Sequence, residues 1–273
     1  MSPNLQVCQK KSNCDNNGFL IIDANFILYL IGSICNKIEE KYSSNDRHEK
    51  FVRFCQVLDI ILNKIRSCSL DETLWTSDKV YDDEMSPTNR ISSLRREIHA
   101  LNTMCSHQNR KYERIDRILT QYLQKVNTST QEISEIKDLY AHKPDDEDAS
   151  LIVSAIKKSM PDFKTILLTD DGKLISRLGI VTRNGNMKLG ANQYPSGNIF
   201  PFNFLSFLEL IHDCCNLSSE YFAYSIHYKF LIEDERVTIP KGLRERKKKT
   251  TISALDRFIL AMEKKAQQLF YAR

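Results

Sequence analysis

The chain has 273 residues, 41% of them apolar and 27% charged, and a formal net charge of +4. That length suits one large domain, or one domain with an extension, able to bury a sizeable core, and the composition excludes a chain disordered throughout. The positive excess is uneven: from Leu217 to Arg273 twelve Lys and Arg stand against seven Asp and Glu, which leaves the first 216 residues slightly acidic.

In chain order, residues 1–17 are rich in Asn, Lys and Ser and lack the apolar core of a signal peptide, so a flexible N-terminal arm is predicted. The run FLIIDANFILYLIGSIC is the most apolar stretch, yet Asp23 and Asn25 stand near its middle. Both would be costly inside a bilayer, so the run reads as a buried strand ending at Asp23 and a helix from Ala24 to Ile34, with no membrane span. From Asp46 onward, Phe51, Phe54, Cys55, Leu58, Ile61, Leu62 and Ile65 recur at steps of three and four, the spacing of an amphipathic helix.

TLWTS is the next short strand, with Asp78 as the N-cap candidate for DKVYDDEM. Helices are predicted near Ile91–Met104 and Tyr112–Val126, then a shorter one at Glu132–Tyr140, which together form a helical insert over about 88–140. The first two mix an apolar stripe with Arg90, Arg95 and Arg96, and with Arg110, Lys111, Arg114 and Arg117. Such stripes read either as solvated faces or as a nucleic-acid contact surface.

The stretch from Pro144 to Leu178 carries the densest chemistry. Asp148 opens an apolar run, Leu151, Ile152, Ala155 and Ile156, at helical spacing, which places it in a first turn. TILLT then has the β-branched, unbroken apolarity of a central parallel strand, and Asp170 and Asp171 follow at its C-terminal end. In open α/β sheets that edge is where ligands bind. Carboxylates converging there repel one another unless a cation neutralises them, so the arrangement asks for a divalent metal.

Beyond Leu178, GIVTRN is predicted as a strand, NGNMKLGANQYPSGN as a hairpin or loop, and IFPF as a last strand before the helix FLSFLELIHDCC capped by Asn203. YFAYSIHYKFLI fits strand or helix equally, KGLRERKKK is an exposed charge run, and TISALDRFILAMEKKAQQLF is an amphipathic helix. Residues 217–273 are thus expected to be a basic C-terminal extension to a domain over 18–216. The order of elements indicates an α/β sandwich with a mainly parallel sheet. Eight cysteines without a CxxC pair or a zinc-spaced Cys/His cluster suggest reduced, buried thiols and a cytoplasmic setting.

Four separated pieces, IIDANFIL, VYDDEM, DASLIVSAI and LLTDDGKL, together resemble the motifs of the PIN-domain nuclease family, in order and over about residues 18–212. The resemblance implies a three-layer α/β/α fold and Mg²⁺- or Mn²⁺-dependent hydrolysis of phosphodiesters, usually in RNA. Position by position it makes Asp23, Asp148 and Asp171 metal-holding catalytic acids, with Asp170 assisting, Thr169 holding Asp23, and Asn25 beside the metal water. The second acid is either Glu84, which precedes Met85, or Asp83, with nearly as good a spacing from Val80. The helical insert, the loop before the last strand and the basic extension depart from the small toxins of that family and leave room for a protein partner or a homodimer.

The chemistry fits these residue types without a family name. Hard cations prefer carboxylate oxygens, and two such ions about 4 Å apart can hold an attacking water and a leaving oxygen. Substrate phosphates away from the scissile bond need positive charge, for which Arg90, Arg95, Arg96, Arg110, Lys111, Arg114, Arg244, Arg246, Lys247, Lys248 and Lys249 are the candidates. The rival readings are a PIN-like scaffold that binds nucleic acid or protein without cleaving, and a dehalogenase-like phosphatase. The phosphatase wants Asp-x-Asp after its first strand, where Asn25 stands instead.

Overall fold

The computed structural model describes residues 18–42, 46–85, 99–106, 108–204, 207–208, 211–212 and 217–225. Strand β1 (Gly18–Ile22) leads through Asp23 into α1 (Ala24–Lys41), and α2 (Arg47–Arg66) begins where Asp46 accepts from the amides of His48 and Glu49. The helical spacing of the apolar residues from Phe51 to Ile65 becomes a wholly buried stripe on α2. Strand β2 (Leu74–Ser77) follows, then a π-helical turn (Val80–Glu84), α3 (His99–Cys105) and α4 (Asn109–Tyr122). The chain continues through β3 (Leu123–Val126), α5 (Thr130–Lys137), α6 (Asp146–Lys158), β4 (Lys164–Leu168) and α7 (Gly172–Arg183). It ends its regular part with β5 (Asn186–Leu189), β6 (Asn192–Pro195) and β7 (Ile199–Phe202).

Five strands form one sheet in the order β3-β2-β1-β4-β7, every neighbouring pair parallel, while β5 and β6 make a separate antiparallel hairpin. All five residues of β1 are buried and only Lys164 of β4 is not, as a sheet covered by helices on both faces requires. Helix α6 lies against β1, β2 and β4. The architecture is α/β and compatible with a three-layer sandwich. At its centre β1 and β4 approach closely: a Cβ on Gly18 would lie 2.5 Å from the carbonyl oxygen of Lys164, so glycine alone fits there.

Three sequence expectations are corrected. Leu123–Val126, read as the end of a helix, is an edge strand paired with β2. The apolar stripe of α4 ends at Tyr122, whose hydroxyl lies 2.6 Å from Asp59 on α2, and the next four residues satisfy the backbone of β2. GIVTRN, read as a strand, lies within α7 up to Arg183, where Leu178, Gly179 and Val181 continue its buried face. Ser77, not Asp78, caps the π-helical turn by accepting from the Val80 amide at 3.1 Å, while Asp78 is held by the amide and hydroxyl of Thr128.

The expected hairpin forms, with a two-residue turn in which Gly190 takes φ 57°. Packing also continues across the boundary expected at 216, since Leu217 and Tyr224 belong to the apolar core. Glu220 pairs there with Arg53 at 3.2 Å, and Lys41 donates to the Tyr224 hydroxyl at 3.4 Å. The arm at 1–17, the start of the helix expected at Ile91 and everything from 226 onward lie outside the described residues. Among the described residues no helix is long and apolar enough to cross a membrane, and Cys35, Cys55, Cys68 and Cys105 form no disulfide.

Candidate active site

The sheet's connections diverge at its centre: β1 leads to β2 on one side, and β4 leads to β7 on the other. The crevice between the C-terminal ends of β1 and β4 is therefore the switch point at which α/β sheets take ligands. Asp23 stands there, one residue past β1, with its amide continuing the ladder to the Leu168 carbonyl at 3.0 Å. The residue is only 4% exposed. Oδ2 receives two donors, the Thr169 hydroxyl at 2.6 Å and the Asn25 side-chain amide at 3.1 Å. Burial pushes the pKa of Asp23 up to about 6 against these two bonds, and the charge of Asp171 adds to the rise.

Asp171 reaches the same crevice from β4. Its amide donates to the Thr169 hydroxyl at 3.0 Å, and one of its carboxylate oxygens caps α7 by accepting from the Lys173 amide at 2.7 Å. Asp148 comes from the first turn of α6, whose N-cap is Asp145, accepting from the Asp148 amide at 2.8 Å. Because α6 crosses the sheet and returns to β4, its N-terminus lies at the strands' C-terminal edge. The hydroxyls of Ser150 and Ser77, 2.7 Å apart, fasten that helix start to the end of β2. Burial raises the pKa of Asp148 to about 7, the charges of Asp145 and Asp171 push the same way, and an ion pair with Arg177 opposes them.

Glu84 and Asp83, the two candidates for the second acid, both lie on the π-helical turn. The π-helical turn closes with the Met85 amide on the Val80 carbonyl at 2.9 Å, and Val80 and Met85 are both buried. Glu84 is exposed, as are Asp82 and Asp83, and its carboxyl is pushed up to about 8, first by loss of hydration and then by the charges of Asp23, Glu147, Asp145 and Asp148. Asp83 is exposed on the same turn, and Asp82 is drawn away to the Lys125 amine at 3.2 Å.

Acids from four separate points of the chain, Asp23, Glu84, Asp148 and Asp171, thus feel one another's charge. Asp145 and Glu147 join them, although neither is among the residues expected at the site; the run DDED was their only signal, and Asp146 in the same run turns instead to Lys137. In donor type the set is all carboxylate oxygen, which fits Mg²⁺ or Mn²⁺. In geometry it is an acidic rim: among the described residues no three His, Cys, Asp or Glu side chains close on a common point for an ion.

Other predicted site residues fall elsewhere. Asp170, expected at the metal, accepts from the Phe204 amide at 3.2 Å and so ties the exit of β4 to the segment after β7. Lys111, expected to meet phosphate, is a clasp: its amine donates to the Met104 carbonyl at 2.7 Å and lies 5.1 Å from the ring centre of Phe51. Arg110 and Arg114 are exposed on α4. Arg90, Arg95, Arg96, Arg244, Arg246, Lys247, Lys248 and Lys249 lie outside the described residues. No family model, curated protein or solved structure matches the chain.

Proposed function

We propose that the chain is a metal-dependent nuclease of the PIN-domain kind that hydrolyses phosphodiester bonds, in RNA before DNA. What supports the reading is that Asp23, Glu84, Asp148 and Asp171 rim one edge of the sheet within range of one another's charge, with Asp23, Glu84 and Asp148 pushed to pKa values of about 6, 8 and 7. Carboxylates so perturbed in one crevice mark a functional site more often than a structural one. A bound Mg²⁺ or Mn²⁺ would supply neutralisation of a scissile phosphate and activation of water.

The chain's own residues would share the remaining tasks. Thr169 and Asn25 hold Asp23 by one oxygen, which fixes the direction its other oxygen faces. Asp171 is held by its place at the start of α7, and Asp148 by the first turn of α6. Glu84, on its short turn, is the acid with most access to solvent and would orient a water.

The experiment is incubation of the full chain with Mn²⁺ and labelled single-stranded RNA and DNA. Cleavage of RNA that is lost in Asp23→Asn and Asp171→Asn, with both variants still folded, is the expected result. Full activity in either variant removes that residue from the mechanism. One observation favours a second reading, a scaffold that binds nucleic acid or protein without cleaving: among the described residues the acids do not close on a common point. Binding of RNA without any cleavage in Mg²⁺ or Mn²⁺ would select it.

A further inference from the structure

Arg177 sits inside the acidic rim. It belongs to α7, six residues after the Asp171 that caps that helix, and its guanidinium pairs with Oδ2 of Asp148. Both side chains are largely enclosed, 17% and 16% exposed, so solvent screens the pair far less than a surface ion pair. The Tyr140 hydroxyl donates to the backbone carbonyl of Arg177 at 2.8 Å and anchors this turn of α7 to the end of the insert. Around Asp148 the neighbouring charges of Asp145, Asp171 and Asp23 repel, and that of Arg177 attracts.

We infer that Arg177 is a positioning residue, the built-in counter-charge of the acidic centre, which holds Asp148 in the absence of a dication and competes with the dication for that carboxylate. The inference rests on the metal-dependent reading above. A guanidinium and a divalent ion both seek the same carboxylate oxygens, and an oxygen engaged by one is withheld from the other. Arg177 thereby keeps the crevice tolerable at low metal and sets the concentration at which the ion prevails. A guanidinium keeps its charge throughout the physiological range, so this threshold belongs to metal concentration and not to protonation of Arg177.

The test is a Mn²⁺ titration of the full chain followed by electron paramagnetic resonance of the free ion, for the wild type, Arg177→Gln and Arg177→Lys. Arg177→Gln is expected to bind Mn²⁺ about tenfold tighter, the size shown by coupled neighbours, and Arg177→Lys to stay near the wild type. In an Asp148→Asn background, Arg177→Gln is expected to have no effect on Mn²⁺ affinity. Unchanged or weaker binding in Arg177→Gln, with a wild type that binds, overturns the inference and leaves the proposed function standing. No binding to any of the proteins at millimolar Mn²⁺ overturns the metal reading itself, and this inference with it. Thermal melts run beside the titration distinguish a loss of fold, since a purely structural ion pair would lower the melting temperature equally with and without Mn²⁺.

Discussion

Asp23 is where stability and chemistry oppose each other. In the folded chain Asp23, Asp148 and Glu84 titrate near 6, 7 and 8, whereas free carboxyls titrate near 4. Between about pH 4 and about pH 8 the folded state therefore holds more protons than the unfolded state, and the contribution of these acids to stability falls as pH rises through that window. Asp23→Asn keeps an acceptor for Thr169 while removing the buried charge. We expect it to stabilise the metal-free protein by up to about 3 kcal/mol above pH 7 and to flatten the pH dependence, as read by urea unfolding in the presence of a chelator. A less stable variant would mean that Asp23 is compensated by contacts other than those of Thr169 and Asn25.

At the scale of elements, the π-helical turn that carries Glu84 is capped by the hydroxyl of Ser77, which also touches Ser150 at the start of α6. Ser77→Ala should cost about 1–2 kcal/mol of unfolding free energy, the range for removing a cap or a buried hydrogen bond. It should also weaken Mn²⁺ binding, because two acid-bearing elements loosen together; urea melts and metal titration read the two effects. The strands β1, β2, β4 and β7 were legible because each is a short, largely apolar run followed by a polar residue. Strand β3 was not, since LQKV has an ordinary helix-compatible pattern and becomes a strand only because β2 has an edge to pair. Helix α7 hid its last turns behind the β-branched Ile180, Val181 and Thr182. The pull of Arg177 on Asp148 links two helices through residues 29 apart in sequence and leaves no local mark.

Across the whole molecule the acidic crevice and the positive charge lie in different parts of the chain. The described residues place Arg110 and Arg114 on the surface of α4, and the run Arg244, Arg246, Lys247, Lys248 and Lys249 follows a segment, 217–225, that packs on α1 and α2 through Tyr224 and Glu220. If that run meets phosphates, replacing its five basic residues with Gln should weaken binding of single-stranded RNA at low salt. It should also make the dependence of log affinity on log salt shallower by up to about 3.5, at about 0.7 for each phosphate that is no longer neutralised. Fluorescence anisotropy over a salt series measures both, and an unchanged slope would assign the run to something other than the substrate.

The Thr169 hydroxyl has one hydrogen, and it accepts from the Asp171 amide while lying 2.6 Å from Asp23, so that hydrogen must point at Oδ2. With the Asn25 amide as a second donor, both lone pairs of Oδ2 are committed, and a proton taken up by Asp23 has only Oδ1 to occupy. On the metal-dependent reading proposed above, an ion approaching this aspartate would meet the same atom. Acid and metal would thus compete for one oxygen, and an ion docking on Asp23 below about pH 6 would displace a proton from it.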